Sequence, residues 1–192
     1  MPVERVLSSV PAHDGLRLLR PDTEDCTAGQ RWSADGVLFE LLHPPPGAVL
    51  RGARSSNALS CVLRVQSVHG VALITGDLLA DGESELVAAG APLAAYLLVS
   101  PHHGSRTSST QAFVDAVAAR EVVHAVGYRN RFNHPHPAVA ARYEAAGATQ
   151  RRSDHDGAVR YRFTAAGIAI ERCRELDARY WHNRFPVQPE GP

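Results

Sequence analysis

Two stretches decide how this chain folds: Leu73-Ile74-Thr75-Gly76-Asp77-Leu78 and Ala94-Ala95-Tyr96-Leu97-Leu98-Val99-Ser100-Pro101-His102-His103-Gly104-Ser105. Each is a short apolar run that stops abruptly at residues able to do chemistry. Val71–Thr75, after Gly70, reads as one strand, and Ala94–Ser100 reads as a buried strand running directly into the His pair. Strands that end at one sheet edge bring their last residues together, so Asp77 and His102-His103 are expected to converge. Gly76 lets the backbone turn tightly beside Asp77. A carboxylate and an imidazole at such a rim can ligate Zn²⁺ or Mn²⁺ at roughly 2.0–2.2 Å, and a carboxylate offering both oxygens can bridge two ions roughly 3.5–4 Å apart. Singly, a Gly-Asp turn and a His pair are ordinary loop features. Their joint position at strand ends is what points to a site.

Working outward, Ala58–Gln66 alternates apolar Leu59, Cys61, Leu63 and Val65 with other residues, and is predicted to pair with Val71–Thr75 in a β-hairpin. Upstream, Val3–Ser9 and Val37–His43 read as strands, with Asp35-Gly36 a turn before the second and Pro44–Gly47 opening a loop that runs to about Ser56. Downstream, Glu83–Ala89 is predicted as a short helix. A second helix starts at an N-cap on Ser109 or Thr110, carries Phe113, Val114 and Val117 on its apolar face, and stops near Arg120. After a strand at Val122–Gly127, Pro137 and Gly147 bracket a third helix whose buried face is Val139, Tyr143 and Ala146. Thr149–Arg152 and Ala158–Phe163 read as closing strands. The alternation of strand and helix after an opening hairpin predicts an α/β layered domain, helices covering a mixed sheet. The domain is placed at residues 1–172. Residues 173–192 form a tail in which Arg174, Arg179, Tyr180, Trp181, Arg184 and Phe185 mix basic and aromatic groups, read as a terminal helix.

Composition narrows the function classes. At 192 residues and 44% hydrophobic, one domain can bury roughly 70% of its unfolded surface. The formal net charge is zero, so there is no general pull toward nucleic acid or anionic lipid, and any polyanion contact must be local. All basic side chains are Arg. That usage is common to proteins of GC-rich genomes, and its planar fork permits phosphate binding without demonstrating it. Cys26, Cys61 and Cys173 are an odd number, far apart, with no metal-ligand spacing, and by themselves define no compartment. No run of about 18 apolar residues is present, so the chain as given is expected to be soluble. Met1 is its one Met, followed at once by a strand-like segment, and that entry into structure reads as a truncation or a late start.

Five segments carry a resemblance: Ser56–Arg64 (SNALSCVLR), Leu73–Leu78 (LITGDL), Pro101–Thr110 (PHHGSRTSST), Gly127–Pro135 (GYRNRFNHP) and Ser153–Ala158 (SDHDGA). In order and approximate spacing they resemble successive blocks of the metallo-β-lactamase-like domain of the ComEC family of DNA internalisation and competence proteins, and Arg179–Pro186 resembles its close. The likeness covers essentially the whole chain. It implies an αββα sandwich of which this chain holds the C-terminal two-thirds. It also implies a complete domain that binds two divalent metals, Mn or Zn, and cleaves a phosphodiester in the DNA strand not taken up, attached to an inner-membrane channel on the periplasmic side. Carried over, Asp77 is the bridging metal carboxylate and a catalytic residue, and His102 is a metal ligand. His103 is a further catalytic donor or substrate contact. Asn57 and Ser60 position water or phosphate; Ser105, Arg106, Thr107 and Ser108 hold phosphate oxygens ahead of a helix; His134 lines the site. His136 faces solvent or caps the next helix.

One element of that family is missing. The H-x-H-x-D-H motif supplies most metal ligands, and His134-Pro135-His136-Pro137 is not it, since Ala138 and Val139 follow where Asp and His are required. The motif is expected upstream of residue 1. Without it, one carboxylate, one or two imidazoles and water hold metal weakly or not at all, and the isolated chain is expected to be inactive. An incomplete sandwich also exposes a sheet edge or an apolar face, which favours self-association or docking to the rest of a membrane DNA-uptake channel protein. Asp154, His155 and Asp156 read as solvated charges at a turn. The competing reading is a non-catalytic DNA-guiding or structural module, in which Arg64, Arg106, Arg129 and Arg131 touch the phosphates of single- or double-stranded DNA. A hydrolase using Ser105 as nucleophile lacks any supporting base spacing.

Overall fold

The computed structural model describes residues 3, 5–10, 17, 19–20, 22–48 and 55–179. Two short parallel strands, β1 (Leu7–Ser8) and β2 (Glu24–Asp25), precede a seven-stranded sheet. Its strands β3 (Arg31–Ala34), β4 (Val37–His43), β5 (Val62–Ser67), β6 (Gly70–Ile74), β7 (Leu97–Val99), β8 (Glu121–His124) and β9 (Thr149–Arg152) lie side by side in chain order. The first four pair antiparallel and β6 to β9 pair parallel. Asp35 and Gly36 both have positive φ, the geometry a tight hairpin turn between twisted strands requires.

Each parallel step needs a crossover. The three helices α1 (Ala80–Ala88), α2 (Gln111–Val117) and α3 (Pro137–Ala145) supply them. The sheet advances in one direction, so crossovers of one hand leave all three on one face. There Val62, Leu73, Leu98 and Val122 pack against Leu86, Phe113, Val114, Val117, Val139 and Tyr143. Each of these side chains contributes roughly 1.5–3 kcal/mol by leaving water. The opposite face carries Phe39, Leu63, Val65, Ala72, Val99 and Val123, half-buried, with Trp32 stacked on Phe39 at 5.3 Å. A separate antiparallel hairpin, β10 (Val159–Thr164) and β11 (Gly167–Arg172), packs at the starts of the parallel strands. Tyr161 donates to the Glu121 carboxylate there, and Phe163 meets Tyr96 edge-on at 6.0 Å.

Several expectations change. Among the described residues of the expected Val3–Ser9 strand, Leu7–Ser8 alone is extended in a sheet. Residues Asn57–Leu59 form a 3-10 turn, so the hairpin strand begins at Val62. Ala146 is exposed past the end of α3, leaving Val139 and Tyr143 as its buried face. Asp154 is not a solvated charge. It lies buried in a short helical turn, α4 (Ser153–Asp156), and pairs with the Arg152 guanidinium at 2.8 Å, because a carboxylate taken from water needs a charged partner. Two of the three cysteines pair, Cys26 with Cys61 (Cα–Cα 6.1 Å), which local spacing does not reveal; Cys173, in α5 (Cys173–Leu176), is free and exposed. No helix among the described residues is long and apolar enough to cross a membrane. Of the tail, residues 180–192 lie outside the described residues.

Candidate active site

Strands β6 and β7 are parallel neighbours with Ile74 beside Val99, so the residues that follow each strand emerge at one rim. Ligands of open α/β sheets bind outside such carboxyl ends. The backbone N–H of His102 donates to the Gly76 carbonyl at 3.0 Å, joining the two loops directly. Gly76 has φ +54, a conformation L side chains rarely adopt, and lies in van der Waals contact range of Ser60. His103 Nε2 then stands 3.3 Å from Asp77 Oδ1, the two side chains 46% and 40% exposed and within reach of solvent.

His102 faces other partners. Its Nε2 is 3.5 Å from Asn57 Nδ2 and its Nδ1 3.3 Å from Thr107 Oγ1. With the Asn57 amide donating to Nε2, the ring proton sits on Nδ1 and is donated to the Thr107 hydroxyl. The imidazole in contact with Asp77 is therefore that of His103, and the two His rings stand 6.3 Å apart. The His134 ring approaches His102 at 6.1 Å. Burial first, then the neighbouring His102, His103 and His136, hold His134 below the ordinary histidine range. His136 caps α3, its Nδ1 accepting from Ala138 N.

The turn that presents the His pair is unusual backbone. His102, His103 and Gly104 are consecutive left-handed residues, φ 48°, 59° and 81°, a conformation that costs non-glycine residues of order 1–3 kcal/mol each and persists only where surroundings hold it. Here Ser105 N bonds the His102 carbonyl at 2.9 Å and His136 N the Gly104 carbonyl at 2.8 Å. Beneath lies His124, fully buried, with Nδ1 2.8 Å from Ser100 Oγ and Nε2 3.0 Å from Gln150 Oε1.

In the loop beyond, Ser105 and Ser108 are buried, and the Ser108 hydroxyl faces inward to the Pro101 and Ser105 carbonyls. The N–H groups of Ser105, Thr107 and Ser108 are bonded within the loop. Those of Ser109 and Thr110 go to the carboxylate of Glu83, at 2.7 Å for Thr110. What the loop turns outward is Arg106 and Thr107, both exposed. Local sequence reading missed Glu83. Its signal was present, since Leu79, Gly82, Glu83 and Leu86 share one helical stripe and a carboxylate in an apolar stripe must be partnered. Burial raises the Glu83 carboxyl above the ordinary range, while the Thr110 and Ser109 amides act against it. Arg64 engages Gln66 on its own strand and Glu40 on neighbouring β4. Among the described residues, no three His, Cys, Asp or Glu side chains are grouped so as to hold a metal ion.

Fold and rim together define an open, mixed α/β domain whose polar residues gather where parallel strands end. Its kin narrow this further. The chain is 39% identical over 158 residues to competence protein ComA of Neisseria gonorrhoeae, covering 82% of this chain and 22% of that protein. It is 30% identical over 166 residues to the protein YcaI of Escherichia coli (85% and 22%), and 28% identical over 171 residues to recombination protein 2 of Haemophilus influenzae (85% and 21%). The chain thus spans about a fifth of the length of these relatives. No family model matches it. The chain belongs to the ComEC family.

Proposed function

We propose that this chain is the C-terminal portion of a ComEC-type DNA-uptake protein, and that the complete domain is a divalent-metal-dependent phosphodiesterase acting on the DNA strand that is not transported. The observation that carries the reading is the 3.3 Å approach of His103 to Asp77 at the carboxyl rim, in a chain related over most of its length to a competence protein. Arg106 and Thr107 hold phosphate oxygens, Asn57 orients His102, and His134 closes one side. Ser105 and Ser108 act from below by shaping the loop.

Among the described residues the donors do not complete a metal centre. Catalytic zinc takes three protein ligands, whereas here one carboxylate meets one imidazole and His102 is committed to Asn57 and Thr107. Manganese or zinc, two ions in the complete domain, requires ligands beyond the described residues, which this reading places upstream, and on it the chain alone is inactive. The sheet with helices on one face is read as half of a metallo-β-lactamase-type αββα sandwich. The apolar residues on its other face, with Ile74 41% exposed at the rim, support a second sheet packing there. The Cys26–Cys61 pair supports an oxidising compartment, the periplasmic side of the inner membrane.

The test is metal content and manganese-dependent cleavage of single-stranded DNA, run on this chain and on a version extended upstream. The extended protein should bind metal and cut, with Asp77→Ala lowering the rate by at least about a hundredfold; unchanged cleavage by that variant overturns the reading. A second reading, a non-catalytic DNA-guiding module, is favoured by the lack of a three-ligand cluster among the described residues. It requires an extended protein that binds DNA steeply with falling salt yet holds no metal and cuts nothing.

A further inference from the structure

We propose that the loop Gly127–His134 is a stacking platform for single-stranded DNA, its rings taking bases while Arg129 and Arg131 take phosphates, beside the Asp77–His103 rim. This rests on the DNA reading above and names the strand form that the site receives. The loop reads Gly127-Tyr128-Arg129-Asn130-Arg131-Phe132-Asn133-His134, rings and guanidinium groups with no acid among them. Among the described residues, the large hydrophobic side chains left exposed include just two aromatics, Tyr128 at 49% and Phe132 at 63%, both here. Scattered exposed apolar residues are ordinary. Two rings within five residues, each with its own guanidinium, are not scattered.

Phe132, His134 and His102 form a row of rings, and Tyr128 carries its own guanidinium contact. Arg129 Cζ lies 5.2 Å from the Tyr128 ring centre and Arg131 Cζ 5.0 Å from that of Phe132. Phe132 stacks on His134 at 5.8 Å and 19° between planes, and His134 stands 6.1 Å from His102. His134 Nδ1 is buried without a hydrogen-bond partner, an acceptor or donor left over within the row. The loop is held in this shape before any ligand arrives. Asn130 Nδ2 donates to the His134 carbonyl at 2.9 Å and its Oδ1 accepts from His134 N at 2.8 Å.

A cation–π contact at an exposed site is weaker than base-on-ring stacking. An arriving base therefore displaces the guanidinium from the ring face, and the freed arginine turns to a phosphate of the same strand. Duplex DNA keeps its bases stacked inside and offers the rings nothing but an end, so the platform selects single strands.

The experiment uses the 192-residue chain and fluorescence anisotropy with three labelled probes: oligothymidylate of about 20 nucleotides, an abasic strand of the same length and charge, and a duplex. The chain should bind oligothymidylate at least about tenfold more tightly than the abasic strand, and more tightly than the duplex. Tyr128→Leu with Phe132→Leu should bring that ratio to about one and leave abasic binding and its salt dependence unchanged. Arg129→Gln with Arg131→Gln should weaken both strands and flatten the salt slope by roughly 1.4, two phosphate contacts' worth. Each leucine change is also measured singly, with circular dichroism confirming the fold. A folded leucine variant that keeps the wild-type ratio, or wild type that ignores the bases or prefers duplex, overturns the platform and leaves the DNA reading standing. A wild-type chain that binds none of the three probes overturns both.

Discussion

Acidification should loosen this domain through His124, at the end of β8. The ring is fully buried beneath the His-pair turn. Gln150 Nε2 donates to the Ala140 carbonyl at 2.9 Å, so its Oε1 faces the imidazole, which must donate from Nε2 and accept at Nδ1 from the Ser100 hydroxyl. Burial is the main reason its pKa is pushed down to about 4; the Gln150 bond opposes it, Arg152 adds to it and Asp154 opposes it. A free histidine titrates near about 6.5. The unfolded chain therefore binds a proton that the folded chain refuses, and the stability is whole above about 6.5 and drains away as the pH falls toward about 4. At pH 5 the loss amounts to about 2 kcal/mol. His43 and His134 are also held low, chiefly by burial, so wild type alone overstates the effect. Urea unfolding of wild type and His124→Asn at pH 7 and pH 5 isolates it: wild type should lose about 2 kcal/mol more than the variant between the two pH values. Losses that agree within about 0.5 kcal/mol would refute a neutral buried imidazole.

Glu83→Ala strands the buried Ser109 N–H and the part-buried Thr110 N–H at the start of α2 and should cost about 3 kcal/mol, roughly 6–12 °C in Tm; a Tm within about 2 °C of wild type in calorimetry contradicts that role. Reducing the Cys26–Cys61 pair, which closes a separation of 35 residues, should lower stability by about 4 kcal/mol. Thiol titration of the native oxidised protein should find Cys173 alone, and three reactive thiols would sink the pairing. Gly104→Ala places a Cβ 2.7 Å from Pro135 Cβ and 2.9 Å from His124 Nδ1 at φ +81, and should destabilise by more than about 2 kcal/mol in urea unfolding. A neutral result would mean the turn yields easily and does not hold the His pair.

Much of the framework was legible locally. Val37–His43 and Thr149–Arg152 match their strands, and Thr110 and His136 cap the helices they precede, because alternation, capping and proline geometry act within a few residues along the chain. The meeting of Asp77 with the His pair followed too, since parallel strands that end in register must deliver their next residues to one rim. Which histidine meets the carboxylate was not readable in this way. Two successive left-handed residues aim His103 at Asp77 and His102 at Asn57, and the Gly104 that follows them is packed against Pro135 and His124. The same holds for the Cys26–Cys61 link, the burial of Asp154 and the grip of Glu83 on the loop 26 and 27 residues away. Cys26 with Cys61, and Glu83 with Ser109 and Thr110, become neighbours only after the sheet and its helices have closed; the Asp154 partner Arg152 is two residues away, and it is the burial of that pair that the closed core decides.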